Sequence, residues 1–281
     1  MSVLANDGLR ARESGAWTRE KLTYLGKYAA AFMTAMAPKR REGKWDRLVY
    51  IDLLAGPGIC KDERGEFPGS ALIALSVKPT FDHLFLGDKS TSNVEALKRR
   101  VPTEDQRRVT FLVDDCNDAV TNVLENLSSK TLGLAFLDPE GLDVKFKTLR
   151  TLATRRIDIV YLFPSGIGIR RNLARFAREP HSRMDDVWGG REWRDLPLAK
   201  HALGELTSHE EMRLDRDWIS SFRKKVGTLG LSYHDESDPA IRNNQGAVMY
   251  HLLFFSHDKA GLTIWKGIKR IAPTGQREFR F

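Results

Sequence analysis

The stretch YIDLLAGPG, Tyr50 to Gly58, decides how the rest of the chain is read. It opens as an apolar run of the kind found in parallel strands covered on both faces, and it closes in a turn of small residues. Gly56 and Gly58 let a backbone approach a ligand closely and take positive φ, while Pro57 between them stiffens the turn. A strand followed by such a turn is either the mouth of a ligand site or a strand-to-helix corner with no ligand. The segments on both sides bear on that choice.

Toward the N-terminus, RLVYIDLLA is preceded by the charged connector PKRREGKWD and by WTREKLTYLGKYAAAFMTAM. In the latter, Leu22, Leu25, Ala29, Phe32, Met33 and Met36 recur at helical spacing, with Thr18 as the N-cap and Glu20 in the first turn. A polar leader comes before it. Toward the C-terminus, helices at GSALIALSV (Ser70 near its start), STSNVEALKRRV, NDAVTNVLENL and KFKTLRTLATR alternate with strands at HLFLGDKS, VTFLVDD, LGLAFLDP and IDIVYLFP. This alternation predicts an α/β fold, a three-layer sandwich around a mainly parallel sheet.

Residues 167–230 read as a helical, basic insertion, with Ser208 as N-cap of SHEEMRLDRDWISSFRKKV. LSYHDES and AVMYHLLFFS then form an antiparallel strand pair separated by DPAIRNNQG, and AGLTIWKGIKRIA closes the chain as a helix. A single domain over residues 1–281 is expected.

In an open α/β sheet, ligands bind at the carboxyl ends of the strands, near the reversal of strand order. Asp52 with Ala55-Gly56-Pro57-Gly58, Asp88, Asp114 with Asp115, Asp138, and Phe163-Pro164-Ser165-Gly166 all end strands and so converge on one rim. Asp88 is placed to accept from ribose hydroxyls, or else to cap the helix after it. Asp114 or Asp115 suits an adenine amino group, with Cys116 beside the ring; the alternatives are a helix cap for one aspartate and simple packing for the cysteine.

The turn reads A-G-P-G-I-C, which is neither GxxxxGK[ST] nor GxGxxG. A carboxylate at Asp52 would repel a diphosphate and attract the cationic amino and sulfonium groups of S-adenosylmethionine. That cofactor is therefore expected at Asp52, Ala55, Gly56, Gly58, Asp88, Asp114, Asp115 and Cys116. In FLDPEGL, Asp138 would accept from an acceptor amine, Pro139 would fix the carbonyl path and Glu140 would act as general base. The alternative is a strand-ending turn.

Composition narrows the class. The 281 residues are 41% hydrophobic and 29% charged, as in soluble globular proteins. A net charge of +8 suits a polyanionic partner. RRNLARFAREPHSRMDDVWGGREWR, Arg170 to Arg194, interleaves arginines with Phe176, Trp188 and Trp193. Such a stretch either contacts phosphates and stacks on bases or forms a solvated helical face with its aromatics turned inward. Cys60 and Cys116 make neither a disulfide framework nor a zinc pair, and the seven histidines lack ligand spacing, so no protein-built metal site is expected. The opening residues resemble neither a signal nor a transit peptide, and no apolar run suits a membrane span; a cytoplasmic location is expected.

WTREKLTYLGKY, YIDLLAGPG, GSALIAL, DPEGL, VYLFPSG and FFSHDKAGLTIWK, in this order, resemble the three-Cys-motif partner family (TcmP) over most of residues 17–269. That family is similar to class I S-adenosylmethionine-dependent methyltransferases. The resemblance implies a Rossmann-like methyltransferase fold and a separate, radical-SAM-like partner that carries the three cysteines; Cys60 and Cys116 are not that motif. The Asp138 stretch looks like the D-P-P-Y motif of nucleic-acid amino-methyltransferases. It departs from it at Glu140 and at Gly141, where the motif has the aromatic that stacks on a flipped base; Tyr161 or Phe163 would have to substitute. The resulting expectation is methyl transfer to DNA or RNA, with Arg170, Arg171 and Arg175 on phosphates and residues 167–230 as a substrate cap. Its rivals are a catalytically silent partner that binds cofactor or nucleic acid, and a metal-dependent nuclease using Asp52, Asp88, Asp114 and Asp138.

Overall fold

A computed structural model describes residues 3–205 and 211–271. Where the sequence predicts only a polar leader, the chain forms two short strands, β1 (Val3–Leu4) and β2 (Arg10–Glu13). Helix α1 (Trp17–Arg41) follows, burying the predicted stripe from Leu22 to Met36. It begins after Ala16 without a side-chain cap, so Thr18 lies buried in the first turn instead of capping it, and it continues through Pro38 into the expected connector.

Strand β3 (Arg47–Asp52) is buried beyond its first residue. The turn after it does not open a helix directly. A hairpin, β4 (Ile59–Asp62) and β5 (Gly65–Pro68), intervenes before α2 (Ser70–Ser76). β2 runs parallel to β4, with Arg12 opposite Cys60, and the four short strands make a separate sheet in the order β1-β2-β4-β5. These strands have two to four residues each and little apolar alternation. Hydrophobic periodicity therefore cannot reveal them.

The predicted alternation then unfolds: β6 (His83–Asp88), α3 (Thr91–Arg100), a single turn α4 (Thr103–Gln106), β7 (Val109–Val113), α5 (Cys116–Glu125), β8 (Thr131–Leu137), α6 (Phe146–Leu152) and β9 (Arg156–Phe163). Beyond a π-helical turn at Ser165–Ile169 come α7 (Leu173–Arg178), α8 (Arg183–Trp188), α9 (Pro197–Ala202) and α10 (Glu211–Gly227). Ser208, the expected cap of α10, lies outside the described residues. The chain ends in β10 (Tyr233–His234), β11 (Ala240–Arg242), β12 (Val248–Ser256) and α11 (Lys259–Ile271). The expected strand pair forms, Tyr233 opposite Ser256, but the supposed loop between them also contributes β11, with Ile241 opposite Tyr250.

The main sheet has the order β10-β12-β9-β8-β3-β6-β7, with β11 also paired to β12. The five strands from β9 to β7 are mutually parallel, and β12 runs antiparallel to β9. The result is a mixed α/β architecture built on a mostly parallel sheet. The chain passes from β3 outward to β6 and β7, then crosses back to β8 and β9, so the order reverses between β3 and β8. The turn after Asp52 and the turn at Asp138 therefore lie side by side at the carboxyl edge.

Each central strand is buried on both faces. Leu48, Tyr50, Leu134, Phe136, Val160 and Leu162 pack toward Tyr28, Phe32 and Trp265 of α1 and α11. Val49, Ile51, Ala135, Leu137, Ile157 and Ile159 pack toward α5, α6 and α10. Phe176, Trp188 and Trp193 belong to this second core, Trp188 lying 4.9 Å from Trp218 between ring centroids. Of the two readings of the Arg170 to Arg194 stretch, the inward-facing one describes its aromatics.

Candidate functional site at the carboxyl edge of the sheet

The two glycines of the opening turn do different things. Gly56 has φ +61° and Gly58 φ +88°. A Cβ on Gly58 would lie 2.8 Å from Leu97 Cδ1, so this glycine lets the turn pack on α3. A Cβ on Gly56 would meet nothing within 4 Å, which leaves room on that side of the turn. The Ala55 N–H donates to Gly87 O at 2.8 Å, and the Gly56 N–H to Asp88 Oδ2 at 3.1 Å. Arg100, its side chain nearly buried, donates to Pro57 O at 2.6 Å and Arg10 O at 2.7 Å and pairs with Asp7 at 2.8 Å. It ties the turn to the small sheet.

The acidic strand ends divide into separate tasks. Asp52 has no exposed surface and accepts from the Leu54 N–H at 3.2 Å and the Tyr50 hydroxyl at 3.3 Å. Burial pushes its pKa up to about 7, against hydrogen bonds led by that from Ser70. It braces the turn from inside. Asp88 is half-buried; one oxygen accepts from the Ser90 N–H at 2.8 Å and from Asn93 Nδ2 at 3.2 Å, while the other holds Gly56. The carboxylate thus ties the glycine turn to the start of α3, whose N-cap is Ser90. Asp115 caps α5 by accepting from the Asn117 N–H at 2.8 Å, and Asp114 is exposed. Cys116 is buried, and its thiol is pushed up to about 12 by that burial, so it packs as a neutral group.

Asp138 is held by two cations that the sequence did not single out. Lys21 Nζ lies 2.6 and 2.5 Å from its two oxygens, and an Arg12 amino group donates to Oδ2 at 3.3 Å. Asp138 and Lys21 are 5% and 3% exposed, so this pair is internal. Burial alone would raise the Asp138 pKa, but Lys21 and Arg12 pull it below the ordinary carboxylate value. Pro139 is buried beside it; Glu140 is exposed, 3.7 Å from Arg12. Arg12 comes from β2 and Lys21 from α1, 126 and 117 residues away in sequence. A signal for Lys21 was present: it stands one turn before Leu25 and two before Tyr28 on the buried stripe of α1, where a charge needs a partner. Arg12 and Asp138, together with Thr18, Gly58, Cys60 and Ser70, line a small cleft.

The expected base-stacking surface is absent at Tyr161 and Phe163. Both rings are sealed, Phe163 stacked on Phe222 at 4.4 Å and Tyr161 set edge-on to Phe163 at 5.9 Å, so neither offers a face. Beside them, Ser165 Oγ lies 2.6 Å from Nδ1 of His251, whose pKa burial lowers to about 4. Of the expected phosphate contacts, Arg170 pairs with Asp215 at 2.8 Å, Arg175 lies 3.6 Å from Glu179, and Arg171 is exposed. Among the described residues, no group of three or more His, Cys, Asp or Glu side chains is placed to hold a metal ion. No helix among them is long and apolar enough to cross a membrane.

No protein-family model and no curated protein matches the chain. Among solved structures it is similar to protein LPL1258 from Legionella pneumophila str. Philadelphia 1, of family model DUF519, at a TM-score of 0.51 and 10% identity over 91% of this chain and 90% of that one. This likeness is one of fold alone, the mixed α/β architecture described above. The YcgJ protein of Bacillus subtilis aligns with 74% of this chain and 89% of its own at 14% identity, but its TM-score of 0.30 carries no weight.

Proposed function

We propose that this protein binds S-adenosylmethionine over the turn Ala55 to Gly58, between Asp88 and Asp114, and belongs to the methyltransferase-like proteins. The observation that carries the reading is the link between Gly56 and Asp88. The N–H of Gly56 is fixed on the Asp88 carboxylate, while the space that a side chain at Gly56 would occupy is open. A groove so built, at the reversal of strand order, fits a nucleoside whose ribose hydroxyls approach the carboxylate. The mostly parallel sheet, with the antiparallel β12 beside β9, supports the same reading.

The bound cofactor would supply a methyl group on a sulfonium. The chain's own part would be orientation and exclusion of water at Asp138. Nucleic acid is the acceptor class that the +8 charge and the exposed Arg171 favour. An amine approaching Asp138 must first displace Lys21, whose ammonium already occupies both carboxylate oxygens. That pairing favours a second reading: a protein that binds cofactor or nucleic acid without transferring methyl and serves a three-Cys-motif partner.

Calorimetric titration with S-adenosylmethionine and S-adenosylhomocysteine tests the site. Binding is expected, weakened at least tenfold in Asp88→Ala; absence of binding by both compounds removes the methyl-donor reading. Labelled-methyl transfer to DNA or RNA by the wild type supports the enzyme. Binding with no transfer, in the wild type and in Lys21→Ala alike, supports the silent partner.

A further inference from the structure

A second cleft opens at the opposite edge of the sheet, where the amino ends of β8 and β9 meet the carboxyl end of β12. Its space is about 220 Å³. The walls are the C-terminal half of α1 and the first turns of α11, which present Phe32, Met36 and Ile264. None of the groups discussed above for the carboxyl edge reaches it.

Two features of this cleft point to a ligand. The first is charge at the mouth: Lys39, Lys44 and Arg156 line it together with a single exposed carboxylate, Asp258, and among the described residues none of the three cations forms an ion pair. The second is a carboxylate at the floor. Asp158 is 7% exposed, accepts from the Tyr28 hydroxyl at 2.6 Å, and lies where a Cβ on Gly261 would come within 2.9 Å of it. Only glycine lets α11 approach so closely, which keeps the floor free of a side chain.

The volume decides among anions. Ligand pockets usually run from about 300 to 1,000 Å³, and this one is smaller, enough for one ring system with its charged group at the mouth. Apolar walls, an acceptor inside and three cations outside suit a planar heterocycle that carries a phosphate. We infer that this cleft binds a single nucleotide, its base edge toward Asp158 and its phosphate at Lys39, Lys44 and Arg156. The same chemistry is offered by a free nucleoside monophosphate and by the phosphorylated end of a strand.

The test is calorimetric titration of the full chain with the four ribonucleoside 5′-monophosphates, inorganic phosphate and a 5′-phosphorylated pentanucleotide. At least one monophosphate is expected to bind tenfold or more tightly than inorganic phosphate. Two changes should each weaken that binding at least tenfold: Arg156→Glu at the exposed mouth, and Ile264→Trp, which fills the cleft. Thermal melting establishes that both variants are folded, and Arg156→Glu, being exposed, tests the proposal if the core variant is not. Preference for the pentanucleotide with the same sensitivity identifies a strand end as the source; preference for a monophosphate identifies the free nucleotide. The proposal is overturned if no monophosphate exceeds inorganic phosphate, or if binding survives Arg156→Glu. It is also overturned if binding is lost in Asp88→Ala or displaced by S-adenosylhomocysteine, since the nucleotide would then occupy the carboxyl edge. Failure of methyl-donor binding leaves this cleft untouched, so the two readings fail separately.

Discussion

Lys21 and Asp138 illustrate how a single buried charge constrains its surroundings. Removing one partner of a buried ion pair strands the other, at a cost of about 3–5 kcal/mol. Because Arg12 also contacts Asp138, Lys21→Met is expected at the lower end, about 3 kcal/mol, in urea denaturation at pH 7. Adding Asp138→Asn should recover part of that loss, since no carboxylate is then left unpaired. A double variant less stable than the single one would show that the pair does not act as a unit.

Asp52 makes an opposite demand at the same scale. Its folded pKa, raised to about 7, lies above that of an unfolded aspartate near 3.9. The folded state therefore holds the proton more tightly. Its contribution is fully present below about pH 4 and is lost as pH rises through 7, at no more than about 1.4 kcal/mol per unit. Asp158, raised to about 6 by burial, acts in the same sense. Urea midpoints should fall between pH 5 and pH 7.5, and fall less in Asp52→Asn. An equal slope in the variant would mean that Asp52 is ionised in the fold.

Among the elements, the small sheet is the least supported by its own residues. Its strands are short, and two sides of its attachment run through Arg100, which bonds β2 through Arg10 and the glycine turn through Pro57. Arg100→Ala should therefore accelerate amide hydrogen exchange in residues 3–14 and 59–68 while β3, β8 and β9 keep their protection. Exchange that rises equally in the central strands would place Arg100 in the global core. The same element brings Arg12 to Asp138, so its attachment and the site are linked.

At the scale of the whole molecule, residues 173–205 and 211–227 cover one face of the sheet. Trp188, Trp193 and Trp218 lie in one contiguous core with Phe146, Tyr161 and Phe163. Trp218→Ala is expected to cost about 3–5 kcal/mol in a single cooperative transition. A separate early transition for this region would instead make it an independent cap.

Much of the fold was legible because its central elements are long and repetitive. The four inner parallel strands, β9, β8, β3 and β6, each bury both faces, and the helices between the strands repeat apolar residues at 3.6-residue spacing, so local pattern and global fold agree. Local chemistry also showed that the turn after β3 requires glycine and that acidic residues end the strands. What the local pattern lacked was pairing. β1, β2, β4, β5 and β11 are too short and polar to announce themselves, and each exists through a partner distant in sequence or set in a turn.

The sequence by itself determined that carboxylates and glycines gather at one edge of a parallel sheet, because strand direction and strand ends follow from periodicity. Only the tertiary structure decided which carboxylates remain available there. Asp52 turned inward under the packed sheet, Asp115 capped the helix it precedes, and Asp138 was paired with Lys21 and Arg12 from more than a hundred residues away, because burial and pairing are set by how the elements assemble. The second cleft, with Asp158 at its floor and three cations at its mouth, arises for the same reason: α1, β9 and α11 meet only in the folded chain.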